Sequence, residues 1–100
     1  MNIDFNAIHK ALSNTARRDF LRWLRAPHDH FRESKMPFHQ GVCAGNFESA
    51  SGLSQSTVSA HLSLMQQAGL VTAVKIGRWV LFKRNEVVIR AFIAQMDKCL

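Results

Sequence analysis

Gln55, Ser56, Thr57, Ser59 and Ser63 carry the chemistry most open to view in this chain. Their amides and hydroxyls donate and accept hydrogen bonds, and none bears a charge. At helical spacing they share one arc with Gln66. The opposite arc holds Val58, Leu62 and Met65 at i, i+4 and i+7, an apolar stripe suited to a core. Ser54 stands where it can cap such a helix, and Gly69 where it can end it. A face of small, neutral, hydrogen-bonding groups lets the helix backbone approach a partner closely. Base edges in the DNA major groove suit a helix that offers Gln, Ser and Thr.

The cations lie beside this helix rather than on it. No Asp, Glu, Lys or Arg occurs from Ser49 through Val74. Leu70 to Ile76 is rich in β-branched residues, Gly77 permits a turn, and Arg78 to Phe82 reads as a returning strand. Lys75 and Arg78 flank the turn, and Lys83 and Arg84 close the second strand. Such a division fits DNA binding, in which phosphate contacts position the protein and base contacts specify the sequence. A hairpin kept soluble by its charges is the simpler alternative. His61 falls at the edge of the apolar arc, away from Ser59 and Ser63. It is expected to be half-buried, hydrogen-bonding locally or touching a phosphate at the margin of the DNA-binding set.

Gly52-Leu-Ser-Gln-Ser-Thr-Val-Ser-Ala-His-Leu62, Gln67-Ala-Gly-Leu-Val71 and Gly77-Arg-Trp-Val80 resemble the recognition helix and wing of the ArsR/SmtB family of bacterial winged-helix repressors. Ala11-Leu-Ser-Asn-Thr-Ala-Arg-Arg18, followed by Phe20, Leu21 and Leu24, resembles that family's first block. The likeness runs from about residue 5 to residue 92. It implies a homodimeric DNA-binding repressor, often released from its operator by a metal ion or another chemical signal. A His at the position of His61 also belongs to the family pattern.

The elements that position these residues follow from period and caps. A first helix is expected over about residues 4–12, with Phe5, Ile8 and Leu12 on one stripe. Asn14 is placed to cap a second helix, Thr15 to Arg25, which buries Phe20, Leu21 and Leu24. Arg18, Arg22 and Arg25 form a row on its other side, read as a solvated face or a flanking phosphate contact. A scaffold helix over about Val42 to Ser51 completes a helix-turn-helix at 42–67, and 70–84 forms the wing. A last helix over 86–100 starts at Asn85. The fold expected is α+β: one winged helix-turn-helix domain over 1–100, with about five helices and a two-stranded antiparallel wing.

The last helix carries a wide apolar arc: Val88, Ile89, Phe92, Ile93, Met96, Cys99 and Leu100. With Phe5, Ile8 and Leu12 it exceeds what so small a domain can cover, and surplus apolar surface marks an interface. Two-fold pairing of the terminal helices would bury it. Phe5, Ile8, Leu12, Val88, Phe92, Ile93 and Met96 are therefore the expected dimerisation residues.

Residues 26–40 include two prolines and show no clean period, so a loop is expected. His28, His30 and His39, near Cys43, are ligand types for zinc-like ions, but their spacing lacks the grammar of a metal site. Many metal-sensing members of the resembled family carry Cys-x-Cys on the third helix. Cys43 matches the first cysteine, and Gly45 stands at the second. Others use Asp and His on the last helix, where Asp97 stands without a His. No metal site and no cofactor are expected. Sensing through Cys43 or the histidine loop is the alternative. Cys43, with Phe47 and Ala50, and Cys99 are expected to be inert core residues.

Net charge of +6 points to a polyanionic partner. The narrow RNA major groove excludes a reading helix, so duplex DNA with an inverted repeat is the expected partner. No Ser-His-acid set or glycine-rich phosphate loop supports an enzyme. A winged helix used for protein interaction would present an apolar or acidic face instead. No apolar run approaches a membrane span, no signal-peptide pattern opens the chain, and two distant cysteines form no disulfide framework. A reducing cytoplasm is the expected compartment.

Overall fold

The computed structural model describes residues 2–32, 34 and 36–100. Helix α1, Phe5–Leu12, begins where the Asp4 side chain accepts from the Ala7 amide at 3.0 Å. Helix α2, Thr15–Arg25, begins at Asn14, whose side chain accepts from the Arg17 amide at 3.2 Å. Each cap satisfies an amide that the first helical turn leaves without a partner. Phe20 of α2 is fully buried against Phe47, with ring centroids 4.8 Å apart. Ile8, Val58, Leu62, Met65, Leu70, Val71 and Leu81 fill the rest of one core.

The segment expected as a loop has structure of its own. Pro27–His30 forms the short helix α3, with Pro27 in the first turn, where its missing amide costs nothing. Phe38–Gln40 makes one 3₁₀ turn. Phe31 anchors the excursion: it is buried, 5.0 Å from the Phe47 ring and 6.0 Å from Trp23. Single aromatic anchors at irregular spacing leave no periodic trace in a sequence.

The scaffold helix starts later than its pattern suggests. Val42–Cys43 is a strand, β1, and helix α4 spans Ala44–Ser51. β2, Val71–Ile76, and β3, Trp79–Arg84, form the antiparallel hairpin. β1 pairs with the far side of β3, Val42 opposite Phe82 and Cys43 opposite Leu81. The two-stranded antiparallel wing is thereby extended by β1 into a three-stranded sheet in the order β1-β3-β2. Gly41 makes this possible. Its φ is +124°, and a Cβ there would stand 2.9 Å from the Leu81 Cβ.

Helix α5, Gln55–Gln67, packs on α1, α2, α4 and β2. It ends in a Schellman arrangement: the Leu70 amide donates to Met65 O and the Gly69 amide to Gln66 O, both at 3.0 Å, with Gly69 at φ +82°. Buried Leu70 then leads directly into β2. Helix α6, Glu86–Cys99, starts at Asn85, whose side chain accepts from the Val88 amide.

Candidate nucleic-acid interface

The α5 face has the composition and exposure expected of it. Val58, Leu62 and Met65 are buried, while Gln55, Ser56, Thr57, Ser59 and Ser63 are exposed on the other side. Ser54 caps the helix, accepting from the Thr57 amide at 3.3 Å and donating to the Thr57 hydroxyl at 2.9 Å. Thr57 thus helps to build the first turn as well as to line the face. Ser63 accepts a long hydrogen bond from Gln67 at 3.4 Å. The side chains of Gln55 and Ser59 take no part in the intramolecular hydrogen bonds found among the described residues.

The wing turn is Gly77-Arg78, between paired Ile76 and Trp79. Gly77 has φ +60° at the first turn position, as a two-residue hairpin of this kind requires. Lys75 and Arg78 are exposed. The Arg78 guanidinium lies 5.2 Å from the Trp79 ring centroid, a cation–π contact that holds the cation at the wing tip. Arg84 differs from them. It donates to Leu21 O at 3.1 Å and pairs with Glu86, so it fastens the base of β3 to α2. The hydrogen bond from Arg84 holds the Glu86 carboxyl below its ordinary range.

The arginine row on α2 is partly engaged. Arg18 donates to Leu12 O at 2.6 Å and to Thr15 Oγ1 at 3.3 Å, and Arg22 pairs with Asp19 at 3.0 Å. His61 is half-buried. Its Nδ1 lies 3.0 Å from an Arg17 guanidinium nitrogen, and its ring meets Phe20 edge-on at 5.9 Å. Burial, and then the Arg17 charge, push its pKa below the usual 6.5. His61 is therefore hydrogen-bonded within the protomer, to a residue of another helix. Sequence reasoning missed Arg17, because a contact spanning 44 positions has no local signature.

The terminal helices separate into core and surface. Ile8 is fully buried within the protomer and Val88 nearly so, both covered by this chain's own core. Phe5, Leu12, Phe92 and Met96 are half-buried, and Phe92 meets His9 edge-on at 5.2 Å. Ile93 is 59% exposed and Leu100 99%. Both cysteines depart from expectation. Cys99 is exposed, and Cys43, half-buried at the end of β1, donates its thiol to Asn46 Oδ1 at 2.8 Å. Ala50, expected on the same buried stripe, is exposed.

The loop histidines do not gather. His30 stacks on Trp23 and His28 meets Phe38 edge-on. Among the described residues, no group of three His, Cys, Asp or Glu side chains is placed to hold a metal ion. No helix among them is long and apolar enough to cross a membrane.

A helix-turn-helix with an exposed, uncharged face on its second helix, followed by a cation-tipped hairpin, defines a winged helix-turn-helix DNA-binding protein. Residues 43–73 match the model of the bacterial regulatory protein, arsR family. The chain is 37% identical over 84 residues to YbzH of Bacillus subtilis (strain 168), an uncharacterized HTH-type transcriptional regulator, covering 82% of this chain and 84% of YbzH. It belongs to the ArsR family of DNA-binding transcriptional regulators and is not an enzyme. An ArsR-like transcriptional regulator from Rhodococcus sp. RHA1 shares the fold with a TM-score of 0.73 at 21% identity, over 95% of this chain and 77% of that one. The homodimeric winged helix-turn-helix DNA-binding domain of Mb0332 from Mycobacterium bovis, a possible ArsR-family regulator, superposes with a TM-score of 0.65 at 25% identity, over 94% and 76% of the two chains.

Proposed function

We propose that this regulator is a homodimeric repressor that reads an inverted repeat in duplex DNA, and that it needs no metal to bind or to be released. The observation that carries this reading is the exposed, uncharged face of α5. Gln55, Ser56, Thr57, Ser59 and Ser63 face base edges and nearby phosphates in the major groove. Lys75 and Arg78 grip phosphates or the minor groove from the wing. Occupancy of an operator beside a promoter excludes polymerase, and such work places the protein in the cytoplasm, with the DNA.

Dimerisation through α1 and α6 is supported by the apolar surface left outside the core. Phe92, Ile93, Met96 and Leu100, with Asp97, line an open groove on α6. A second copy would cover it, and the Mycobacterium bovis domain is described as homodimeric. Metal independence is supported by the ligand chemistry. Gly45 stands where metal-sensing members have a second cysteine, α6 has no histidine, and metal affinity needs several ligands held together.

Selection from a random duplex pool tests the proposal. The expected product is an inverted repeat with half-sites about one helical turn apart, because a two-fold dimer presents two reading helices. Enrichment of a single unrepeated half-site would contradict it. Gel shifts with Zn(II), Cd(II) and As(III) should leave the complex intact; release by any of them, lost in Cys43→Ser or His30→Ala, would sink the metal-independent part.

A further inference from the structure

Arg17 is half-buried on α2, and the partners of its guanidinium lie on α1 and α5. Nε donates to Ala11 O at 2.7 Å and Nη2 to Lys10 O at 3.3 Å, a carbonyl at the end of α1 that also accepts from the Ser13 amide and hydroxyl. Nη1 reaches His61 Nδ1 on α5 at 3.0 Å. A guanidinium is always protonated and has no acceptor. His61 must therefore be neutral, with its proton on Nε2 and its Nδ1 lone pair facing Arg17. A proton on Nδ1 would replace this hydrogen bond by two donors and two positive charges at the same distance.

We propose that Arg17 is a positioning residue for DNA reading: it ties α5 to the end of α1 through neutral His61, and protonation of His61 opens the tie and weakens DNA binding. The inference rests on the reading of the α5 face given above. His61 lies one helical turn beyond Thr57 on α5, so a shift of its backbone tilts the first turn of that helix and the side chains there that must meet base edges. Recognition of that kind tolerates displacements of only about 0.5 Å. The elements packed on α5 carry His9 and Lys10 on α1, Arg17, Arg18, Asp19, Arg22 and Arg25 on α2, Glu48 on α4 and Lys75 on β2. Of these, Arg17 is the charge that acts on the imidazole, and its effect adds to that of burial in favouring the neutral ring. The sign separates this role from a phosphate contact. A histidine gripping phosphate would bind more tightly when charged.

The test uses the full chain, a duplex selected from a random pool at about pH 7.5, and two variants. His61→Gln keeps an acceptor for Arg17 but does not titrate; Arg17→Met removes the donors but keeps the apolar stem. Wild-type affinity should fall roughly fivefold or more between about pH 7.5 and pH 5.5, beyond any change in His61→Gln. Arg17→Met should bind several-fold more weakly at the higher pH and show no such acid loss. Imidazole nitrogen shifts, read without DNA, should report the Nε2–H tautomer for His61. Acid-flat or acid-tightened binding relative to His61→Gln, wild-type affinity in Arg17→Met, or an Nδ1–H tautomer would each overturn the proposal. No enriched duplex at all would sink the reading of the α5 face, whereas an enriched duplex with acid-flat binding sinks the tie alone.

Discussion

Ser54 shows how a single side chain sets the start of α5 and the exposed face proposed to read DNA. Its hydroxyl accepts from the Thr57 amide and donates to the Thr57 hydroxyl, so it fixes the turn from which Gln55 and Ser56 project. Ser54→Ala should cost about 1 kcal/mol in a denaturant melt, the usual size of a lost N-cap. An unchanged midpoint would show that the cap does not hold the first turn. His61 gives a second prediction, on folding rather than binding. Folding lowers its pKa below 6.5, chiefly by burial, so the unfolded chain takes up the proton more readily. Its contribution to stability is complete above the unfolded value and is lost progressively as pH falls below it, until the lowered folded pKa is reached. Melts at several pH values should show this loss in wild type and not in His61→Gln. Equal pH dependence in the two would contradict it. Residue types and spacing made the α5 face legible, because exposure there follows from the helical period alone. The partner of His61 was not legible, since it comes from a different helix.

At the scale of elements, Gly41 controls whether the sheet has three strands. Its positive φ and close approach to Leu81 leave no room for a side chain. Gly41→Ala should destabilise the domain by roughly 1–3 kcal/mol, through backbone strain and overpacking. A melt indistinguishable from wild type would show that β1 tolerates displacement. The helices were legible because caps and apolar periods agree: Asn14 starts α2, Ser54 starts α5 and Asn85 starts α6, as their sequence positions suggest. β1 was not, because two residues carry no period and Val42-Cys43 continues smoothly into the pattern of α4. The 26–40 excursion was read as irregular for the same reason. Its order comes from Phe31, held by Trp23 and Phe47 on two other helices.

For the whole molecule, the terminal helices divide their apolar residues between two surfaces. An apolar arc in a sequence reports what avoids water but not which body covers it. Ile8 and Val88 are covered by the protomer itself, Ile93 and Leu100 are not. Ile93→Glu should leave a folded chain that sediments as a monomer, because the charge sits in water until a partner arrives. Ile8→Glu should instead unfold the domain, since a carboxylate there has no buried partner. A folded Ile8→Glu dimer, or an Ile93→Glu dimer as tight as wild type, would contradict this division.

Binding of selected and random duplexes by wild type, Ser59→Ala and Arg78→Ala, each across a range of salt, tests the separation of reading from gripping most directly. Arg78→Ala should weaken both duplexes alike and flatten the salt dependence by about one phosphate contact. Ser59→Ala should leave random DNA nearly untouched and cost roughly 1–3 kcal/mol on the selected duplex. Equal losses on both duplexes for Ser59→Ala, or an unchanged salt slope for Arg78→Ala, would contradict the roles assigned to α5 and the wing.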